Sequence, residues 1–203
     1  MAVERSEPTY RLALPEPTTS FEQDAEYCVL DLGHGWTEYR FHDYDELFKI
    51  PGLYEKLFYD ILQCQSPAVV AGALAEQLDA VGVDPSGLRV LDVGAGNGIV
   101  AEELRARGVG KVVGIDILPE ARDAAERDRP GVYDDYHVVD LTALDDETTE
   151  TIAAGGFDAL TCVAALGFGD IPPAAFRAAF DMVVAGRIVG DDVAIMMVEA
   201  EAT

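Results

Sequence analysis

Three aspartates, Asp92, Asp116 and Asp140, each close a short apolar run, and the run 94–98, Gly-Ala-Gly-Asn-Gly, follows the first of them. A carboxylate only accepts hydrogen bonds, so acids of this kind hold hydroxyl and amino groups. Glycines concentrate where the backbone turns with positive φ or where another group must touch the main chain. From Ile99 onward the apolar residues recur at helical spacing, so the glycines lead into a helix start, with its N–H groups and the positive end of its dipole. The combination suits a polar ligand that carries several hydroxyl or amino donors and a negative group.

The elements that must position these residues follow from periodicity. Residues 88–93 read as a buried strand and 99–104 as a helix that Gly108 ends. Strands are expected at 111–116, 136–140, 157–163 and 192–198, and helices at 119–129, 145–153 and 172–183. Alternating strands and helices imply right-handed crossovers and an α/β fold, a Rossmann-like, doubly wound, mostly parallel sheet in the order 3-2-1-4-5. The ends of strands one, two and three then bring Asp92, Asp116 and Asp140 to one sheet edge, where ligands bind in such folds. Asp116 lies 22 residues after Gly94, the place of an acid that holds both ribose hydroxyls.

A dinucleotide fingerprint would need its third glycine at position 99, which is Ile99; the glycine stands at 98. The form present, D-x-G-x-G-x-G from Asp92 to Gly98, resembles motif I of the class I S-adenosylmethionine (SAM) dependent methyltransferases. That resemblance spans about 88–198. It implies a SAM site at Asp92, Gly94, Ala95 and Gly96 for the methionine part, with Asp92 facing its amino end through water. It implies Asp116 and Ile117 for the ribose side, Asp140 and Leu141 for the adenine, and the Cys162 and Val163 backbone near the amino acid end. The segment 161–165, Thr-Cys-Val-Ala-Ala, has neither the [DN]-P-P-[YF] of amino-methylating DNA enzymes nor the Pro-Cys of cytosine-C5 enzymes, and Cys162 reads as a buried strand residue. The stretch FDALTCVAALGFGDIPPAAF is also similar to the Williams–Beuren-region methyltransferase-like proteins. The family's closing helix and final antiparallel strand pair have no counterpart, and 185–187 reads Ala-Gly-Arg where a Gly-Gly pair is usual. Either strand five is then an open edge, a surface for a second copy of the chain, or the sequence is a truncated product.

The resemblance implies methyl transfer to a small molecule. SAM brings its own electrophile, so the protein has mainly to align the acceptor and exclude water. His42, His137 and Tyr44 are the candidate bases; nothing selects one, so no catalytic residue is assigned. Two other readings stay open: a non-catalytic SAM-binding or oligomer-forming protein, and a nicotinamide-dependent oxidoreductase.

Upstream, 1–25 reads as a mobile tail, 26–64 as a hairpin with a helical lid, and 65–203 as the SAM-binding domain. The hairpin holds a decoy of motif I, VLDLGHG, followed by the strand-like WTEYRF rather than by a helix. In 42–64, Tyr54, Leu57, Phe58, Ile61 and Leu62 form one apolar face, and Pro51-Gly52 splits the stretch into two short helices. His42, Tyr44, Tyr54 and Tyr59 are the lid's candidates for meeting an acceptor. Ser66 and Pro67 are expected to cap and open the next helix.

The formal net charge is −24, with three lysines against eleven arginines and no basic run. Such a surface repels nucleic acid and anionic membrane. The cysteines, Cys28, Cys64 and Cys162, show no metal spacing, so no metal is expected, and they read as reduced thiols of a cytoplasmic protein. No apolar run approaches a membrane span, and the first residues do not resemble a signal peptide.

Overall fold

The computed structural model describes residues 10–16, 25–166 and 170–185. Its contacts divide the chain after Gln63 into two compact units.

The first unit holds an antiparallel sheet of β1 (Arg11–Ala13), β2 (Tyr27–Asp31) and β3 (Trp36–Arg40), in that order. Strand β1 lies inside the stretch expected to be tail. Arg11 stands opposite Asp31 in the register and pairs with its carboxylate, which secures this short strand. Asp31 Oδ1 also accepts from the Gly33 and Gly35 amides at 2.8 and 3.1 Å, closing the β2–β3 turn. The Arg11 guanidinium first, then these amides, hold the Asp31 carboxyl down at about 2. The decoy VLDLGHG is therefore the end of β2 and the turn that leads into β3. Helix α1 (Tyr44–Lys49) and the short α2 (Leu53–Glu55) flank Pro51-Gly52, and α2 runs into a π-helical turn over Lys56–Ile61. Leu47, Leu53 and Leu57 pack with Cys28 and Leu30 as this unit's core.

The second unit opens with α3 (Ser66–Val81), which has Pro67 in its first turn. The expected Ser66 cap is not formed: the helix begins at Ser66 itself, without a side-chain cap. It ends on Gly82 at φ 70°, where the Gly82 and Val83 amides close on the Asp79 and Leu78 carbonyls. Then come β4 (Arg89–Val93), α4 (Ile99–Ala106), β5 (Lys111–Asp116), α5 (Pro119–Asp128), β6 (Asp135–Val138), α6 (Asp146–Ala153), β7 (Ala159–Cys162) and α7 (Pro173–Ala185). Asp145 caps α6 by accepting from the Thr148 amide at 2.7 Å.

The strands form a parallel sheet in the order β6-β5-β4-β7, the expected 3-2-1-4. The expected fifth strand, 192–198, and the edge offered there to a second copy, lie outside the described residues. Burial on both faces explains the continuous apolar runs of β4 and β5. On one face Val90 and Val112 pack with Val100 and Leu104 of α4 and Ala71 and Leu78 of α3. On the other, Leu91, Val93, Val113 and Ile115 pack with Ile152 of α6 and Ala179 and Met182 of α7. Strand alternation turns Asp92 toward the first face.

Candidate functional site

The loop after β4 turns through three left-handed glycines, Gly94 at φ 68°, Gly96 at 53° and Gly98 at 87°. A side chain at any of them would be strained. At Gly94 the space is also filled: a Cβ would come 2.9 Å from both Ala165 Cβ and Ile171 Cδ1. This glycine admits two residues of the segment after β7, where ligand contact was expected. The Gly94 and Ala95 amides both donate to the Ile115 carbonyl, at 2.9 and 3.0 Å, and the Gly96 amide donates to Asp116 Oδ2 at 3.0 Å. Ala95 is buried.

Asp92 differs most from expectation. It is 1% exposed, and each of its oxygens accepts from a neighbouring side chain: Thr161 Oγ1 donates to Oδ1 at 2.7 Å, and the Tyr133 hydroxyl lies 2.8 Å from Oδ2. Its side chain is buried and is joined through Tyr133 to the loop carbonyl of Ala95. Burial pushes its carboxyl up to about 6, against the Thr161 and Tyr133 hydrogen bonds and with a further push from Asp116.

Asp116 lies at the carboxyl end of β5, half-buried. Oδ1 accepts from the Leu118 amide at 3.0 Å and Oδ2 from Gly96. Each oxygen carries two lone pairs, so acceptor capacity remains on this acid. Burial raises its carboxyl above the ordinary range, opposed by these amides. Ile117, beside it, is 60% exposed, a large apolar side chain at the edge where a ligand is expected. Asp140 is exposed two residues past β6, and its Oδ1 accepts from the Thr142 amide and hydroxyl at 2.8 and 2.6 Å. Leu141 is buried against the α6–α7 face. Asp116, Ile117 and Asp140 thus gather at the carboxyl edge, while Asp92, Ala95 and Leu141 turn inward.

Cys162 ends β7, and burial pushes its thiol up to about 12, which leaves it a poor nucleophile. Val163 is buried. Ala164 follows at φ 54°, a left-handed conformation that alanine rarely adopts. The Ile171 amide donates to the Ala165 carbonyl at 3.2 Å, and both residues lie against Gly94. Of the candidate bases, His42 and Tyr44 lie in the first unit, Nδ1 and hydroxyl 3.4 Å apart, and His137 on β6 has Nε2 3.5 Å from Asp135. Among the described residues no cluster of His, Cys, Asp or Glu is arranged to hold a metal ion.

Sequence reasoning missed Tyr133, Tyr136, Arg129 and Thr161. For the two tyrosines the advance signal was Gly114, a glycine inside a strand, which marks the close approach of another group.

The sheet order, the glycine corner and the acid at the end of β5 define a Rossmann-like α/β domain of the nucleotide-cofactor type. A family model described as a methyltransferase domain matches residues 66–195, more than half of the chain, and the chain belongs to that family. Over 106 residues it is 36% identical to a ubiquinone biosynthesis O-methyltransferase of Xanthomonas axonopodis pv. citri, covering 51% of this chain and 42% of that one. A 27-residue stretch is 96% identical to a polyribonucleotide nucleotidyltransferase of Saccharopolyspora erythraea, covering 13% and 4%. The chain thus spans less than half the length of these curated relatives. A SAM-bound amino pentose methyltransferase of Micromonospora echinaspora, involved in calicheamicin biosynthesis, superposes with a TM-score of 0.47 at 26% identity, over 66% of this chain and 51% of that one.

Proposed function

We propose that the chain binds SAM at the carboxyl edge of its parallel sheet and transfers the methyl group to a small molecule. The observation that carries this is Asp116, a half-buried acid with acceptor capacity left, beside the glycine loop and flanked by the exposed Ile117. That set fits the cofactor: Asp116 accepts from the ribose hydroxyls, Ile117 covers an apolar ring face, and Asp140 meets the adenine amino group. When bound, SAM supplies a sulfonium whose methyl is open to in-line attack.

The chain's own residues bind and orient. Asp92 does so indirectly, through the loop it supports. The backbone after Cys162, turned at Ala164, faces the same edge, and the half-exposed Leu166 offers apolar surface to an acceptor. The likeness to an O-methyltransferase makes a hydroxyl the first acceptor group to screen. A net charge of −24 supports a small molecule over a nucleic acid. Three free cysteines support a reducing, cytoplasmic setting. Among the described residues, no helix is long and apolar enough to cross a membrane.

Calorimetric titration with S-adenosylhomocysteine, SAM and NAD, at low and high salt, tests the reading. Micromolar binding of the first two without NAD is expected. A folded chain that binds neither overturns it.

A further inference from the structure

Three successive carbonyls of the glycine loop are each held by a side chain from one short segment. Arg129 Nη1 donates to the Asn97 carbonyl at 3.2 Å. The Tyr136 hydroxyl donates to the Gly96 carbonyl at 2.9 Å. The Tyr133 hydroxyl lies 3.0 Å from the Ala95 carbonyl and shares its proton between that oxygen and Asp92. Arg129 is itself buried and fixed by Glu102 at 2.6 Å. The two phenol rings meet edge to face, centroids 5.1 Å apart.

Two glycines make room for this arrangement. Tyr136 on β6 stands opposite Gly114 on β5 and crosses that strand to reach the loop. A Cβ at Gly114 would come 2.9 Å from Tyr136 Cδ2, 3.0 Å from Ala95 Cβ and 3.1 Å from Tyr133 Cε1. One at Gly98 would come 2.9 Å from Val132 Cγ1 and 3.3 Å from Tyr133 Cε2. The loop therefore lies directly on residues 129–136.

We propose that Tyr133 and Tyr136, with Arg129, are positioning residues that clamp the glycine loop by its carbonyls and thereby aim Asp116 at the cofactor ribose. Gly96 is the link, since its carbonyl accepts from Tyr136 and its amide donates to Asp116. Releasing one end of this residue loosens the acid at the other. The proposal rests on the SAM reading for its ligand, but the clamp is a property of the loop itself.

The test compares Tyr136→Phe and Tyr133→Phe in the full chain, with Tyr39→Phe on β3 as control. Phenylalanine keeps the ring and its packing and removes only the hydroxyl. Affinity is read by calorimetry with S-adenosylhomocysteine, and amide hydrogen exchange is followed at residues 95–98. Tyr136→Phe is expected to weaken binding roughly tenfold and to speed exchange at these amides alone, since an oriented hydrogen bond is lost while packing is kept. Tyr133→Phe shows the same pattern, and the control changes neither. Wild-type affinity in both Phe variants overturns the clamp, as does exchange that quickens evenly over the whole second unit. If the wild type binds no S-adenosylhomocysteine, the SAM reading fails separately. Exchange then decides the clamp: local quickening at 95–98 upholds it, and unchanged exchange overturns it.

Discussion

Replacing Asp92 by asparagine should change how the protein responds to pH more than how it folds. The folded chain holds this carboxyl at about 6, against an ordinary value of 3.8, because burial disfavours its charge. Below pH 4 both folded and unfolded chains bind the proton, and its contribution to stability is fully present. As pH rises, the unfolded chain releases the proton first. The folded chain must follow near pH 6, and stability falls across that window and levels off above pH 7. The gap corresponds to about 3 kcal/mol.

The amide of Asp92→Asn fits the same surroundings. Its oxygen accepts from Thr161, and its nitrogen donates to the Tyr133 oxygen, whose proton turns fully to the Ala95 carbonyl 3.0 Å away. The variant should match the wild type near pH 4 and exceed it by up to about 3 kcal/mol at pH 8. In a chain of this size that is a rise in midpoint of roughly 6–12 °C. Carboxyls held low, such as Asp31, Asp84 and Asp145, lose stability as pH falls, but they are common to both proteins and cancel in the difference. Thermal melts of both proteins at half-unit steps from pH 4 to 8 measure it. A difference that does not vary with pH, or that favours the wild type at pH 8, would refute the account of Asp92 as a buried, reluctantly charged acid.

Other expectations follow from the same geometry. Gly96→Val, which forces a branched side chain to φ 53°, and Asp116→Ala should each weaken S-adenosylhomocysteine binding at least tenfold, about 1.4 kcal/mol or more; unchanged calorimetric affinity in a folded variant would move the cofactor elsewhere. Gly114→Ala drives a methyl group against Tyr136, Ala95 and Tyr133 and should cost about 1–3 kcal/mol, read as a lower urea midpoint. The Cys28 and Cys162 thiols, pushed up by burial to about 11 and about 12, should stay unmodified by iodoacetamide at pH 8 in the folded chain. Peptide mass spectrometry after a short exposure gives the answer, and rapid labelling of Cys162 would contradict its burial.

The order of the sheet was legible because each strand carries its own local signal, an apolar run that in the first three leads to an acid, and each crossover a helical period. The same signals placed Asp116 and Ile117 at the carboxyl edge of the sheet. They could not say which donors enclose Asp92, because Tyr133 and Thr161 arrive from 41 and 69 residues away. Motif spacing marks Gly94 as a glycine but not what fills its space, which depends on how Ala165 and Ile171 return. Strand β1 was hidden in a proline-flanked stretch too short for a period of two to show, and its partner Asp31 is 20 residues away. Gly114 was visible as an interruption, yet the aromatic rings it admits belong to another strand.

The Ile115 carbonyl, which takes the Gly94 and Ala95 amides together, has a consequence for how fast a ligand is captured. A loop whose amides and carbonyls are already joined to the protein has lost its conformational freedom during folding. Arriving molecules need not freeze it again, so the entropic penalty of association is lower. Binding should then proceed as one concentration-dependent phase in stopped flow, with no slow step of loop ordering behind it.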